Sequence, residues 1–138
     1  MRNRIFLLAG LWLLPLAFIL IVVQTVQTAA ATTAVLVIDA VLYDGLVAHE
    51  PDEAVQIRNV GTTAVSLQNW SISDADNDVD ATITAAHTLA PGAAVWLADE
   101  DEAFQQSFGF LPDYAVVAAL PGVMALDGKW PGFANAGD

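Results

Sequence analysis

Four aspartates at alternate positions are the residues of this chain whose type and spacing best suit chemistry. They are Asp74, Asp76, Asp78 and Asp80. Carboxylates repeated in a loop can converge on a hard cation, and calcium is a cation that takes such oxygen ligands. An EF-hand loop is excluded, because Val79 stands where that loop needs glycine and Ala85 where it needs its bidentate glutamate. Two interpretations remain, a looser calcium site between two strands and a solvated acidic turn.

A second acidic run, Asp99-Glu100-Asp101-Glu102, precedes two phenylalanines, Phe104 and Phe108, that stand one helical turn apart. Four consecutive like charges repel one another unless they are solvated or bound to an ion. We favour a role at the start of a short helix, where carboxylates interact favourably with the helix dipole.

Other kinds of catalytic and metal site find little support. His49 and His87 are far apart in the sequence, whereas a zinc site needs three or four converging ligands, and His49 is predicted to lie in a surface loop. The chain has no cysteine, and no serine lies in a Gly-x-Ser-x-Gly motif. We therefore predict no catalytic residue and no cofactor, with calcium as the metal to consider.

The charge of the chain constrains its partners. Residues 32–138 contain only Arg58 and Lys129 against sixteen acids, which is a formal net charge of −14. Such a surface repels phosphate backbones, so direct nucleic-acid binding is not expected. Divalent cations and basic protein partners are the natural counterparts, although the sequence points to no particular partner.

The start of the chain has the pattern of an export signal. Arg2 and Arg4 precede an uninterrupted apolar run over residues 5–23, and a small polar stretch follows. Residues 1–31 are therefore predicted to be a signal peptide or an N-terminal membrane anchor.

Both fates of this leader leave the rest of the chain outside the cell. Pro15 and the small residues Ala29-Ala30-Ala31 favour cleavage. The length of the apolar run favours retention, because it approaches the about 20 residues of a membrane span. Residues 32–138 are thus predicted to be secreted, or anchored to the membrane through residues 5–23.

Short alternating runs predict an all-β domain after the leader. From Ala34 onward these runs are separated by turn residues roughly every eight to twelve positions, which is typical of a sandwich or barrel. One short helix is predicted over residues 101–108. The predicted strands are residues 35–43, 54–59, 65–67, 70–72, 81–84, 93–98 and 114–120.

The large aromatic residues have two possible roles. Trp70 and Trp96 lie on alternating strands, and we predict that they are buried in the core, since aromatic rings bury a large area. Trp130, Phe133 and Tyr114 remain open as part of a core or of a ligand-binding face.

Several motifs, in their order and spacing, resemble those of the lamin-tail domain family. They are Ile38-Asp39-Ala40-Val41-Leu42-Tyr43-Asp44, Asp52-Glu53 with Asn59, Gly61-Thr62 and Val65-Ser66-Leu67, Trp70-Ser71-Ile72-Ser73-Asp74, Leu89-Ala90-Pro91-Gly92 and Phe133-Ala134-Asn135-Ala136-Gly137-Asp138. The resemblance implies that residues 32–138 form an immunoglobulin-like β-sandwich. In the family the last motif introduces a further hairpin, so the resemblance also implies that the last strands are missing here. An unpaired sheet edge and an uncovered apolar face are the expected result.

Two functions from different classes follow. The resemblance implies a non-catalytic extracellular module that binds a partner or serves as a scaffold, accessory to a larger secreted or membrane-linked protein. A hydrolase domain beyond Asp138 is compatible with that role. The alternative is a calcium-dependent hydrolase, or part of one, built on the acidic loops.

Overall fold

The computed structural model describes residues 33–74 and 80–133. Short strands dominate this part of the chain, together with one helix. The strands are β1 (Leu36–Leu42), β2 (Ala54–Asn59), β3 (Val65–Ser66), β4 (Ser71–Ile72), β5 (Ala81–Thr82), β6 (Thr88–Leu89), β7 (Ala94–Glu100), β8 (Tyr114–Val117), β9 (Met124–Ala125) and β10 (Asp127–Gly128), and the helix is α1 (Asp101–Phe108).

The described strands form three sheets. The largest has five strands in the order β1-β2-β7-β8-β9, the second has the order β10-β5-β4, and β3 pairs with β6. β2 is antiparallel to both of its neighbours, β1 and β7. The arrangement is an immunoglobulin-like β-sandwich with one short helix, which confirms the fold class predicted from the sequence.

The pairing of β7 with β8 is parallel, and the alternating pattern does not predict it. A tight hairpin cannot join parallel neighbours, so the chain must cross back before it re-enters the sheet. α1 makes this crossing, because it begins directly after β7. The helix ends where Gly109 adopts the left-handed conformation, with φ 78°, and donates its amide to the Gln105 carbonyl.

The five-stranded sheet has apolar residues on both faces. Val95 and Leu97 of β7 belong to the core between the sheets, whereas Ala98 packs with Phe104 of α1 on the opposite face. Successive residues of a strand point to opposite sides, so one strand serves both clusters. Trp96 shares the helix side, and its ring centroid lies 5.4 Å from that of Phe104.

Asn59, the last residue of β2, is fully buried and bonded on several sides. Its side-chain nitrogen donates to the carbonyl oxygens of Thr63 at 2.8 Å and Leu89 at 2.9 Å. Its side-chain oxygen accepts from the Gly61 amide at 2.9 Å, and its backbone amide donates to the Ala93 carbonyl. Asn59 therefore joins the end of β2 to the following turn, to β6 and to the start of β7.

The turn after Asn59 needs a residue without a side chain. The amides of Val60 and Thr62 donate to the carbonyls of Val35 and Thr33, both at 2.9 Å, so the chain entering β1 lies directly against the turn. A Cβ atom on Gly61 would overlap the Thr33 carbonyl oxygen. Only glycine fits this close approach of two backbones.

Agreement with the sequence pattern is best for the longer elements. β2 and α1 have the predicted bounds. Three strands of two residues each, β6, β9 and β10, were not predicted. The predicted burial of Trp70 is wrong, because its residue is 45% exposed beside β4, the last strand of its sheet among the described residues.

The predicted leader, residues 1–31, lies outside the described residues and stays a prediction. The same is true of residues 134–138, which contain most of the terminal motif. Within 33–74 and 80–133, no helix has the length and apolar character needed to cross a membrane.

Replacing Asn59 with alanine is expected to lower the free energy of unfolding by about 3 kcal/mol, because buried backbone groups lose their partner. Denaturation followed by tryptophan fluorescence measures this change. The matched control is Gln68→Ala, since the exposed Gln68 amide donates to the Thr84 carbonyl at 3.3 Å. The control should change stability by less than about 0.5 kcal/mol. Equal losses in the two variants would contradict the central role of Asn59.

Candidate functional site

Two of the four aspartates in the predicted calcium loop lie within the described residues. Asp74 is exposed after β4, and Asp80 is 3% exposed before β5. Asp76 and Asp78 fall outside. Within 33–74 and 80–133, no group of three or more histidine, aspartate or glutamate residues could hold a metal ion. The calcium loop as a whole therefore stays a prediction.

Asp80 has a partner close by. The Nζ atom of Lys129 lies 3.1 Å from Asp80 Oδ1, and the Lys129 amide donates to the Asp80 carbonyl at 3.0 Å. Gly128 makes this approach possible, because it has φ 113° and a Cβ there would overlap the Asp80 carbonyl oxygen. The second carboxylate oxygen of Asp80 is buried and accepts no hydrogen bond within the described residues. Asp80 thus holds β10 against β5.

Asp52 is a fully buried carboxylate that organises a loop. Its Oδ2 accepts from the Leu46 amide at 2.8 Å and from the Ser107 hydroxyl, and its Oδ1 accepts from the Val47 amide at 3.3 Å. Burial by itself raises the pKa of Asp52. These hydrogen bonds outweigh it and place the pKa below the ordinary value of 3.8. Asp52 therefore ties the loop after β1 to α1.

Glu53, the next residue, holds the last described segment in place. Its Oε2 accepts from Trp130 Nε1 at 3.0 Å and from the Phe133 amide at 3.4 Å. The rings of Trp130 and Phe133 pack edge to face with centroids 5.6 Å apart. Burial raises the pKa of Glu53 above 4.5, and burial together with the charge of Glu100 raises the pKa of Asp99 above 3.8.

The acidic run at the start of α1 is only partly the helix cap that was predicted. Asp101 and Glu102 lie in the first turn, but Glu100 at the N-cap makes no capping hydrogen bond. Asp101 is instead fully buried, and its Oδ2 accepts from the Leu120 amide at 2.7 Å. This carboxylate therefore fastens the turn after β8 to the helix.

The two histidines lie apart, and one of them, His87, contacts Tyr114. His87 Nδ1 lies within hydrogen-bonding distance of the Tyr114 hydroxyl. Tyr114 is fully buried, and burial together with the charge of Asp113 raises the pKa of its hydroxyl. His49 lies in the loop after β1 with φ 71°. Tyr114 therefore belongs to the core and not to an exposed ligand face.

An apolar cleft of about 260 Å³ opens at one side of the sandwich. Its walls come from β1, β2 and β4, and they are lined by Leu36, Val37, Ile38, Val55, Ile57, Trp70, Ser71, Ile72 and Ser73. Sequence reasoning did not identify this cleft, because it depends on which strands end the two sheets. The uncovered apolar face that the family resemblance implies is the one signal that pointed toward it.

Ile38, which lines the cleft, and Val41, farther along β1, are both exposed apolar residues. Ile38 pairs with Ile57 and Val41 pairs with Val55, and directly paired residues point to the same side of a sheet. Val55 is only 2% exposed, whereas Ile38 is 68% exposed and Val41 is 46% exposed. Within the described residues, Val55 of β2 is therefore covered, whereas its neighbours Ile38 and Val41 in β1 are not.

Stability is expected to rise as the pH falls from neutral toward the ordinary pKa values of 4.5 for Glu53 and 3.8 for Asp99, because burial raises both pKa values in the folded state, which then binds these protons more readily than the unfolded state. It should fall again below 3.8, where protonation removes the contribution of Asp52, whose pKa is lowered. Thermal unfolding midpoints measured across this range test the prediction.

Two variants that each remove one negative charge distinguish the effect of burying a carboxylate from the effect of repulsion among all the acids. Glu53→Gln should flatten the rise in stability on acidification, while Glu102→Gln, which removes an exposed charge, should leave it in place. Equal flattening in both would attribute the rise to net charge and contradict the role of burial.

Comparison with known proteins identifies the family of this chain. The lamin tail domain family matches residues 29–129, which is well over half of the chain. No curated protein and no solved structure matches it. The chain belongs to the lamin tail domain family, whose immunoglobulin-like domains are non-catalytic and indicate a binding or scaffolding role.

Proposed function

We propose that residues 32–138 form a non-catalytic binding or scaffolding module that works outside the cell, accessory to a larger secreted or membrane-linked protein. The family supports the binding or scaffolding role.

The observation that carries the proposal is the apolar cleft beside β1. Ile38 and Trp70 are exposed by 68% and 45%, and both line this cleft. Soluble domains seldom expose contiguous apolar surface unless it contacts something else. A cleft of this kind suits a partner-binding module.

The buried acids support a module more than a hydrolase. Asp52, Glu53 and Asp101 accept hydrogen bonds from backbone or side-chain groups of the domain itself. A general acid or base must instead reach a substrate. These three buried acids therefore hold segments of the domain together.

Charge and leader support the remaining parts of the proposal. The net charge of −14 over residues 32–138 favours a basic protein partner and disfavours nucleic acid. The leader over residues 1–31 supports export, with attachment to the membrane through residues 5–23 if it is retained.

Calcium should act on this chain only as a general divalent cation. Millimolar calcium and millimolar magnesium are expected to shift the thermal unfolding midpoint equally, because both screen the acidic surface. Differential scanning calorimetry of the full chain measures both shifts. A larger shift with calcium that disappears in an Asp76→Asn, Asp78→Asn double variant, together with calcium-dependent hydrolysis of ester or phosphodiester substrates, would favour the hydrolase instead.

The leader should export a fused reporter. Residues 1–34 placed before an alkaline phosphatase that is active only outside the bacterial cytoplasm are expected to give phosphatase activity in whole cells. A matched fusion without residues 1–31, which therefore begins at residue 32, should give less than about a tenth of that activity. Equal activities would contradict the extracellular part of the proposal and leave the binding role untouched.

A further inference from the structure

One asparagine of this chain lies in an Asn-x-Ser motif. The motif is Asn69-Trp70-Ser71, and none of the other four asparagines has a serine or threonine two positions later. An asparagine in this motif is the acceptor for N-linked sugars in exported proteins, where it lies in a surface loop. The motif is short, so the conformation and contacts of Asn69 decide whether it suits this chemistry.

Asn69 lies in the turn between β3 and β4. The Trp70 amide donates to the Leu67 carbonyl at 3.0 Å, which closes the turn, and the Asn69 amide donates to the Ile83 carbonyl at 2.8 Å. Asn69 has φ 67°, a left-handed conformation that asparagine adopts more readily than most residues. The backbone of the acceptor residue is therefore held in a surface turn, which is where this modification occurs.

The side-chain amide of Asn69 is available, in contrast to that of Asn59. Asn59 is fully buried, and its side-chain amide bonds to three backbone groups. Within the part of the chain that the structure describes, no hydrogen bond joins the Asn69 side chain to another residue. Residues 68–71 are all exposed. A sugar chain attached to Asn69 would therefore displace no hydrogen bond of its side chain within the described residues.

Ser71 supplies the hydroxyl of the motif. It is exposed at the start of β4, and its Oγ lies 3.0 Å from Thr82 Oγ1. Water can replace an exposed hydrogen bond of this kind at little cost. The hydroxyl can therefore turn to a transferase while the backbone pairing of Ser71 with Thr82 stays intact.

We propose that Asn69 is a modification site that carries an N-linked oligosaccharide. The donor is an oligosaccharide joined through pyrophosphate to a membrane lipid. A bond forms between Asn69 Nδ2 and the anomeric carbon of the first sugar, and the bond from that carbon to the pyrophosphate oxygen breaks. The lipid pyrophosphate leaves with the bonding electrons, and the amide releases one proton to solvent. The inference rests on the extracellular part of the proposed function, since the motif is used in exported chains.

Production of the full chain in cells that make this donor tests the proposal. The chain should migrate more slowly in a denaturing gel. An amidase that cleaves between asparagine and sugar should restore its migration and convert Asn69 to aspartate, which mass spectrometry detects. Asn69→Gln and Ser71→Ala should both lose the slower form. The matched control Ser71→Thr should keep it, because threonine retains the hydroxyl that the motif requires.

A second acceptor separates the site from export. A flexible tail with its own Asn-Gly-Thr sequence, added after Asp138, should receive sugar in every exported copy. Sugar on the tail but not on Asn69 would overturn the inference and leave the extracellular proposal standing. Sugar on neither would overturn both. A slower form that persists in Asn69→Gln without the tail would place the sugar elsewhere and contradict the assignment.

Discussion

The side-chain amide of Asn59 is the interaction on which the arrangement of the described strands depends. It places one buried group between the turn at Gly61 and Thr63 and the carbonyl of Leu89 in β6. An amide suits this position because it offers both donors and an acceptor without a charge. An aliphatic residue of the same size would leave several backbone groups buried without partners. The edge of the sandwich core is therefore fixed by polar bonding, while the apolar residues fill the space behind it.

Buried carboxylates repeat this principle elsewhere in the described residues. Asp52 ties a loop to α1, Glu53 holds Trp130 and Phe133, and Asp101 fastens the turn after β8. In a domain without cysteine, such contacts link its loops and elements without disulfides. Part of the acidic composition therefore has a structural role, since several acids accept hydrogen bonds inside the domain and do not only add to its surface charge.

The sequence predicts the parts of this fold that local physics determines. Alternating residues define β2, and the acids with the spacing of Phe104 and Phe108 define α1, so the bounds of both were found. Two-residue strands such as β9 carry too little pattern, and the parallel pairing of β7 with β8 depends on residues distant in the chain. The same reason applies to Trp70, because its position on a strand indicates alternation but not whether a second sheet covers it.

The candidate site was less predictable than the fold for a related reason. The aspartates of the 74–80 loop are conspicuous in sequence, whereas the cleft is made by residues that any sheet contains. The buried acids were equally hidden, since Asp52 and Asp101 resemble surface residues until their backbone partners are known. What marks the cleft is the exposure of Ile38 opposite a covered strand, and exposure is a property of the assembled sheets.

The bulge in β1 gives this strand two different sides along its length. Register shifts between Ile38 and Ala40, so the intervening Asp39 is left out of the pairing and reaches Arg58 at 2.7 Å. Without the extra residue, strict alternation after Ile38 would turn Ala40 inward in place of Val41. One extra residue therefore determines which side chains of β1 beyond it point inward. Insertions or deletions in β1 would exchange the inward and outward residues beyond it, which leaves this short segment far less freedom to change length than the loops around it.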